Sequence, residues 1–306
     1  MIIVGTPYPL DSAKGNVVSA KRIAALLGGL AIHSPEANLE GAETVIALHA
    51  RKSFSLIEKA AAKPGCKLIV LLTGTDLYDD IPAGNQNALK SLALADALVV
   101  AQESSIADIP AEYRSKAHVC HKSMTIDLPA PPPRREEKLI TIVGHLREIK
   151  NPFVAVLPAL ELGFEVVQLG RALEPGFAEK AQDLTQAHSS YSWLGGVSRE
   201  ESLHWLSRST ATINSSLMEG GANSVLEALH CDCPVIASDI PGNRGILGDT
   251  HPALFSPDDH ATLSSHLRSL GNDSAFRQRI LACQSSRKSL FTPEQETSDW
   301  LNLIRR

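Results

Sequence analysis

The amino-acid sequence predicts an α/β protein of two doubly wound domains, each a parallel sheet covered by helices on both faces. Three observations carry this expectation. Short β-branched and aliphatic runs alternate with segments of helical period along most of the chain. The runs are continuously apolar rather than alternating, which marks strands buried on both faces. The alternation breaks at LPAPPPRREEK, residues 128–138, where prolines followed by charges can continue neither a helix nor a central strand. A chain of 306 residues has room for two domains with sizeable cores.

Before the break, the candidate strands are IIVG from Ile2, TVIALH from Thr44, KLIVLLTG from Lys67, ALVVAQ from Ala97 and AHVCHK from Ala117. Segments such as VVSAKRIAALL and ALKSLALA supply the intervening helices. After it come LITIVG from Leu139, FEVVQLG from Phe164, YSWLGG from Tyr191, ATINSS from Ala211 and PVIAS from Pro234. The expected organisation is a first domain over 1–128, a linker over 129–138, a second domain over 139–285 and a helical tail over 286–306. In the tail, Thr292 can cap a helix that has Pro293 at its first position and Glu294 in its first turn.

Net charge is −5, from 34 acidic and 29 basic residues, with no block of like charge; this does not suggest a nucleic-acid or membrane-surface role. Met1 leads directly into IIV and TPYP, without the basic, apolar and small-residue regions of a secretory leader, so a cytoplasmic protein is expected. The five cysteines are scattered, a poor disulfide framework that fits a reducing compartment. Cys231 and Cys233 in HCDCP have His230 beside them but no fourth ligand at zinc-site spacing, and read as core or helix-end cysteines.

Ligands of open α/β sheets bind outside the carboxyl ends of the strands, and two such sheets facing each other would form a cleft. The loops after the strands are therefore where chemistry is expected. EGGANSVLE, 219–227, follows ATINSSLM and reads as a helix opening at Gly221, Ala222 and Asn223, whose free amides and dipole favour an anion such as a phosphate. Glu227 falls about one turn inside that helix, where a buried carboxylate would accept hydrogen bonds from paired hydroxyls such as those of a ribose. The alternative is that Glu219 merely precedes a cap and Glu227 is solvated. GHLREIKNP, 144–152, places Arg147 and Lys150 after the strand LITIVG, where two cations could neutralise a diphosphate leaving group, with Asn151 a candidate cap of the next helix. Solvated loop charges are the competing reading.

In the first domain, Gly15 and Asn16 lead into a helix, a position from which backbone amides could meet a phosphate or a sugar, although KGN also reads as a plain turn. His49, Arg51 and Lys52 follow TVIAL, with Asp76 past LIVLLTG. Arg51 could grip an anionic nucleophile bidentately, with His49 beside it and Lys14 a weaker candidate. Asp76, Asp79 and Asp80 in TDLYDD read as solvated and helix-capping acids, and neither a metal nor a cofactor is expected.

The spacing of Glu219 and Glu227, the GHLREIK loop, and the run from WLGGVSREESLHWLSRS through CPVIASDIPGN resemble the nucleotide-binding domain of the retaining GT-B glycosyltransferases of family 4. The resemblance covers essentially the whole second domain. It implies a GT-B architecture of two Rossmann-like domains. It also implies that Arg147 and Lys150 hold the diphosphate of a UDP-sugar, Glu227 its ribose and Glu219 the transferred sugar, with Leu194 and Gly195 near the base. EGGAN departs from the family habit of an aromatic residue and glycine after the first Glu-Gly. With TPYPLDSAKGN, ALHARKS, LTGTDLY, PGNRGILG and LFTPE, it makes the chain resemble, from end to end, the selenosugar synthases of selenoneine biosynthesis. That resemblance implies transfer of N-acetylglucosamine or glucose from its UDP-sugar to selenium of selenophosphate. The expected catalytic set joins Glu219, from the family 4 resemblance, to His49 and Arg51, chosen for their place after TVIAL. An oxygen-directed glycosyltransferase and a nucleotide-sugar-binding protein without turnover are the alternatives.

Overall fold

The structure, a computed structural model, describes residues 1–12, 14–126 and 136–306, so most of the proline-rich segment expected as a linker lies outside the described residues. The chain divides into two compact units, 1–123 together with 290–306, and 124–289.

In the first unit the chain runs β1 (Ile2–Thr6), α1 (Gly15–Leu27), β2 (Leu30–His33), β3 (Thr44–Leu48), α2 (Phe54–Ala61), β4 (Lys67–Leu71), α3 (Gln86–Leu94), β5 (Ala97–Val100) and β6 (Ala117–Val119). These strands form one six-stranded sheet in the order β2-β1-β3-β4-β5-β6, and every pairing is parallel. The chain steps outward from β1 to β2 and then returns past β1 to β3, so the winding reverses between β1 and β3. Both faces are covered, as the apolar runs require. Leu56, Ile57, Ala88 and Leu92 of α2 and α3 pack on one face, and Ala20 and Ile23 of α1 on the other.

The second unit runs β7 (Leu139–Val143), α4 (Val156–Glu161), β8 (Glu165–Leu169), α5 (Phe177–Ala187), β9 (Tyr191–Gly195), α6 (Arg199–Arg208), β10 (Ala211–Asn214), α7 (Asn223–His230), β11 (Val235–Ser238), α8 (Pro241–Leu247), β12 (Leu254–Phe255), α9 (His260–Asn272) and α10 (Ser274–Arg287). Its six strands are ordered β12-β11-β10-β7-β8-β9, again all parallel, and the winding reverses between β7 and β10. Leu263, Leu267 and Leu270 of α9 and Phe276 and Ile280 of α10 complete its core.

All ten anticipated strands form, with ends shifted by at most a few residues. β2 and β12 were not anticipated. Both lie at sheet edges, and β12 has two residues. The tail differs more. Its second helix, α11 (Pro293–Arg305), starts as expected, with Thr292 Oγ1 accepting the Gln295 N–H at 3.2 Å. It is not a separate tail: Trp300 and Leu303 are buried in the first unit, against Val4, Ile23, Ile46 and Leu48.

Glu296, on the buried face of α11, binds the rest of that unit through its carboxylate. It pairs with the Arg22 guanidinium and accepts the Ser123 N–H at 2.8 Å and the Ser123 hydroxyl at 2.5 Å. The Trp300 indole N–H reaches its other oxygen at 3.3 Å.

Candidate functional site

The reversal of winding between β7 and β10 leaves the carboxyl ends of those strands without a crossing connection above them, the position where open α/β sheets take ligands. A cavity of about 430 Å³ opens there, lined by His145 and Lys150 after β7, Gly196, Val197 and Arg199 after β9, and Glu219, Gly221, Asn223 and Glu227 around the start of α7. Two glycines let the backbones close around it. Gly170, at φ +139°, lies so near Gly144 that a Cβ would collide with the Gly144 carbonyl. Gly242 of α8 meets the backbone of Glu219 in the same way. Gly242→Ala should therefore push the Glu219 segment away. We expect a loss of about 1–3 kcal/mol in urea unfolding together with reduced turnover, and unchanged values of both would refute this packing role.

Four charged side chains in the cavity form two ion pairs. The Lys150 ammonium pairs with Glu219 Oε1, which also accepts the Ser216 hydroxyl at 2.8 Å, and the carboxylate is largely buried. Arg199 donates from Nε to Glu227 Oε1 at 2.9 Å, while its terminal amino group reaches the Thr125 carbonyl at 3.2 Å. Glu227 is 8% exposed, so it is not a solvated helix residue. α7 begins at Asn223 with Ala222 as its cap, a residue whose methyl side chain makes no cap hydrogen bond. Gly221, at φ +152°, has open space where a side chain would stand.

Several expected residues take other positions. Arg147 does not line the cavity: it is about half exposed, and its Nε lies 3.3 Å from Glu174 Oε1, whose other oxygen accepts the Glu148 N–H at 2.6 Å. Asn151 does not cap α4. It stands in the left-handed region at φ +44°, ending a short 3₁₀ turn, and its carbonyl accepts the Ser215 hydroxyl at 2.8 Å. Leu194 is exposed and Gly195 takes a positive φ at the end of β9; the wall is formed by the following Gly196 and Val197. Ala222 is buried beneath the lining.

His145 and Arg199 were not anticipated. His145 Nδ1 accepts the Arg171 N–H at 3.1 Å, leaving Nε2 to carry the proton. Burial, and then the charges of Arg171, Lys150 and Arg147, hold this imidazole below its ordinary pKa, so it is a neutral donor at the cavity wall.

In the first unit the corresponding reversal lies between β1 and β3. Gly15 and Asn16 begin the first turn of α1, whose cap residue Lys14 makes no side-chain cap hydrogen bond. His49 follows β3 in the left-handed region, at φ +73°, and is 1% exposed. Its Nε2 is 3.0 Å from the Thr75 hydroxyl, and its Nδ1 is 3.4 Å from the Lys52 N–H. Burial pushes the imidazole pKa down, against the opposing pull of Asp76. Arg51 is engaged by Asp80, at 2.8 Å from Nε to Oδ1. Asp76, expected as a solvated acid, is fully buried: it accepts the backbone N–H groups of Ala50 at 2.8 Å, Thr73 at 2.8 Å and Gly74 at 3.0 Å. It staples the loop after β3 to the loop after β4.

His230 closes α7 with Nδ1 2.9 Å from the Leu226 carbonyl, and Cys231 and Cys233 are buried beside it. Among the described residues no three metal-ligating side chains converge, and no helix is long and apolar enough to cross a membrane.

Comparison with known proteins places this geometry. The family model described as Glycosyl transferases group 1 matches residues 124–282, more than half of the chain. A Xenopus tropicalis protein named Glycosyltransferase 1 domain-containing protein 1 is 28% identical over 136 residues, which are 42% of this chain and 39% of that protein. Among solved structures, HepE of Anabaena in complex with UDP and glucose aligns with a TM-score of 0.76 at 12% identity, over 99% of both chains. The sucrose-phosphate synthase of Thermosynechococcus elongatus gives a TM-score of 0.76 at 14% identity, over 99% of this chain and 98% of its own. TarM of S. aureus, solved with UDP and an α-GlcNAc-glycerol, gives 0.68 at 14% identity, with this chain covering 55% of it. These structures share two parallel-sheet α/β domains in the GT-B arrangement.

Proposed function

The chain belongs to the group 1 glycosyl transferases, and on that premise we propose that it transfers the sugar of a UDP-sugar, N-acetylglucosamine or glucose, to selenium of selenophosphate. The observation that carries the donor half is the pairing of Lys150 with Glu219 and of Arg199 with Glu227 inside one cavity at the β7–β10 reversal. Such a cavity offers cations and backbone amides at a helix start to a diphosphate, and a buried carboxylate to a ribose. That HepE and TarM were solved with UDP supports UDP as the carrier.

In this reading Lys150 moves from Glu219 to the diphosphate as negative charge gathers there, aided by the Nε2 proton of His145 and the amides of Gly221, Ala222 and Asn223. Arg147 takes part only by releasing Glu174. Glu227, held at one oxygen by Arg199, accepts the ribose hydroxyls with the other, and Glu219 is left to meet the transferred sugar. Leu194 and Gly195 stand near the base. Selenium attacks the anomeric carbon, forming the C–Se bond as the bond from that carbon to the UDP oxygen breaks. The acceptor falls to the first unit, through His49, Gly15, Asn16 and the N–H groups of Arg51 that Asp80 leaves over. Support for selenium is the resemblance carried by TPYPLDSAKGN, ALHARKS and EGGAN.

An anaerobic assay of UDP-sugars with selenophosphate, read by mass, tests the whole reading: a selenium-containing sugar is expected, and UDP release only with alcohol acceptors would overturn the selenium half. The ribose assignment has its own test. Glu227→Gln should weaken UDP binding by about 1.5–3 kcal/mol, because it loses a charged acceptor of hydroxyl hydrogen bonds. Calorimetry returning wild-type affinity from the folded variant would remove Glu227 from the ribose.

A further inference from the structure

Three hydrogen-bond donors with no carboxylate among them converge where the winding of the first sheet reverses. Tyr8 stands two residues beyond β1, and Lys52 four residues beyond β3, on the adjacent strand. The Lys52 ammonium donates to the Tyr8 hydroxyl at 2.8 Å and lies 5.4 Å from its ring centroid. Lys14 brings a second ammonium to 6.0 Å from the same ring. Among the described residues neither lysine forms an ion pair with a carboxylate, whereas Arg51 nearby is engaged by Asp80.

We propose that Tyr8, Lys14 and Lys52 form a binding site for a small tetrahedral oxyanion, a phosphate or a phosphate-bearing acceptor; this rests on the reading that the first unit receives the acceptor. The chemistry follows from what each group has left to give. An ammonium has three donors and no acceptor, so both lysines present only N–H groups. The Tyr8 oxygen spends a lone pair on Lys52, and its own proton remains to be donated. Two like charges held at one ring repel each other, and the face of the ring offsets this only in part. An anion between them turns the repulsion into two attractions and takes the phenol proton in a third hydrogen bond. The site is anchored as well as charged: the Lys52 N–H points at His49 Nδ1, so the lysine is carried by the same loop that buries His49. The carboxyl end of a sheet at its reversal of winding is where a ligand is expected on topology alone, independently of the charges.

The test is titration of inorganic phosphate into the full chain, with and without saturating UDP, at constant ionic strength and with acetate as the monoanion control. One phosphate per chain is expected to bind in the presence of UDP, more tightly than acetate. Lys14→Ala and Lys52→Ala should each weaken it at least about fivefold, the double variant should abolish it, Lys52→Arg should restore most of it, and UDP affinity should not change. Glycerol phosphate in a parallel arm separates the two sources: tighter binding than phosphate identifies an esterified acceptor, and weaker binding a free oxyanion. Phosphate binding that is absent in the wild type, or unaltered in the double variant, overturns the proposal. Failure of UDP to bind would overturn the donor reading instead, and the titrations without UDP would still decide this one by comparing the wild type with the double variant.

Discussion

Lys150→Ala is expected to lower kcat for sugar transfer by about 10²–10³-fold, the scale on which a preorganised donor to developing charge acts. The reason lies in what Lys150 does before the donor arrives. It is bound to Glu219, a largely buried carboxylate that also takes the Ser216 hydroxyl, so its position is fixed without substrate. In the proposed reaction, charge grows on the diphosphate as the bond from the anomeric carbon to UDP breaks, and the ammonium would gain a stronger partner than the one it leaves. An interaction that strengthens in the transition state appears in kcat as well as in kcat/KM. The truncation also strips Glu219 of its counter-charge, which reinforces the loss. Lys150→Arg should recover only part of the rate, because a forked guanidinium does not reproduce a point charge. Steady-state kinetics of UDP release decide the matter: a rise in KM at unchanged kcat would reduce Lys150 to a ground-state contact.

Glu296→Ala should destabilise the first unit by about 3–5 kcal/mol, the usual consequence of removing one member of a buried ion pair. Four groups lose their acceptor at once: the Arg22 guanidinium, the N–H and hydroxyl of Ser123, and the Trp300 indole. Arg22 lies on α1, Ser123 follows β6, and Trp300 is on α11, so one carboxylate joins three stretches of chain that are distant in sequence. Urea unfolding followed by tryptophan fluorescence should show the loss. Trp300 is the reporter, because Trp193 and Trp205 both lie in the second unit. A shift of less than about 1 kcal/mol would mean that the surrounding apolar packing holds α11 without the carboxylate.

The strands were legible because residues buried on both faces leave continuous apolar runs that no loop would tolerate. β2 escaped because LAIH is an edge strand with no fully buried residue, following a Gly-Gly pair that reads as a turn. The period of α11 announced a buried face, but a period does not say which core receives it. The site shows the same division. The backbone features of EGGAN and the place of Glu227 one turn inside α7 follow from local sequence, whereas the burial of that carboxylate and the partner of each charge do not. Arg147 and Lys150 are three residues apart, yet one pairs with Glu174 and the other with Glu219. Arg199 in SREES reads as an ordinary charge in a capped first turn, and only the fold brings it to Glu227, 28 residues away. His145 carried the one missed local signal, since it stands directly after the glycine that ends the β7 run.

The placement of α11 also bears on how the protein is made. The second unit is one uninterrupted stretch of chain, 124–289, while the first is assembled from 1–123 and 290–306. On a ribosome the second unit can close its core as soon as α10 has emerged. The first cannot, because Glu296, Trp300 and Leu303 follow the whole of the second unit in the chain, and until they arrive the face of the sheet bearing Val4, Ile46 and Ile69 is covered only in part, by Ala20 and Ile23 of α1. The second unit can thus be finished before the unit that precedes it, leaving an interval in which a nascent, half-clad sheet is open to chaperones and to aggregation.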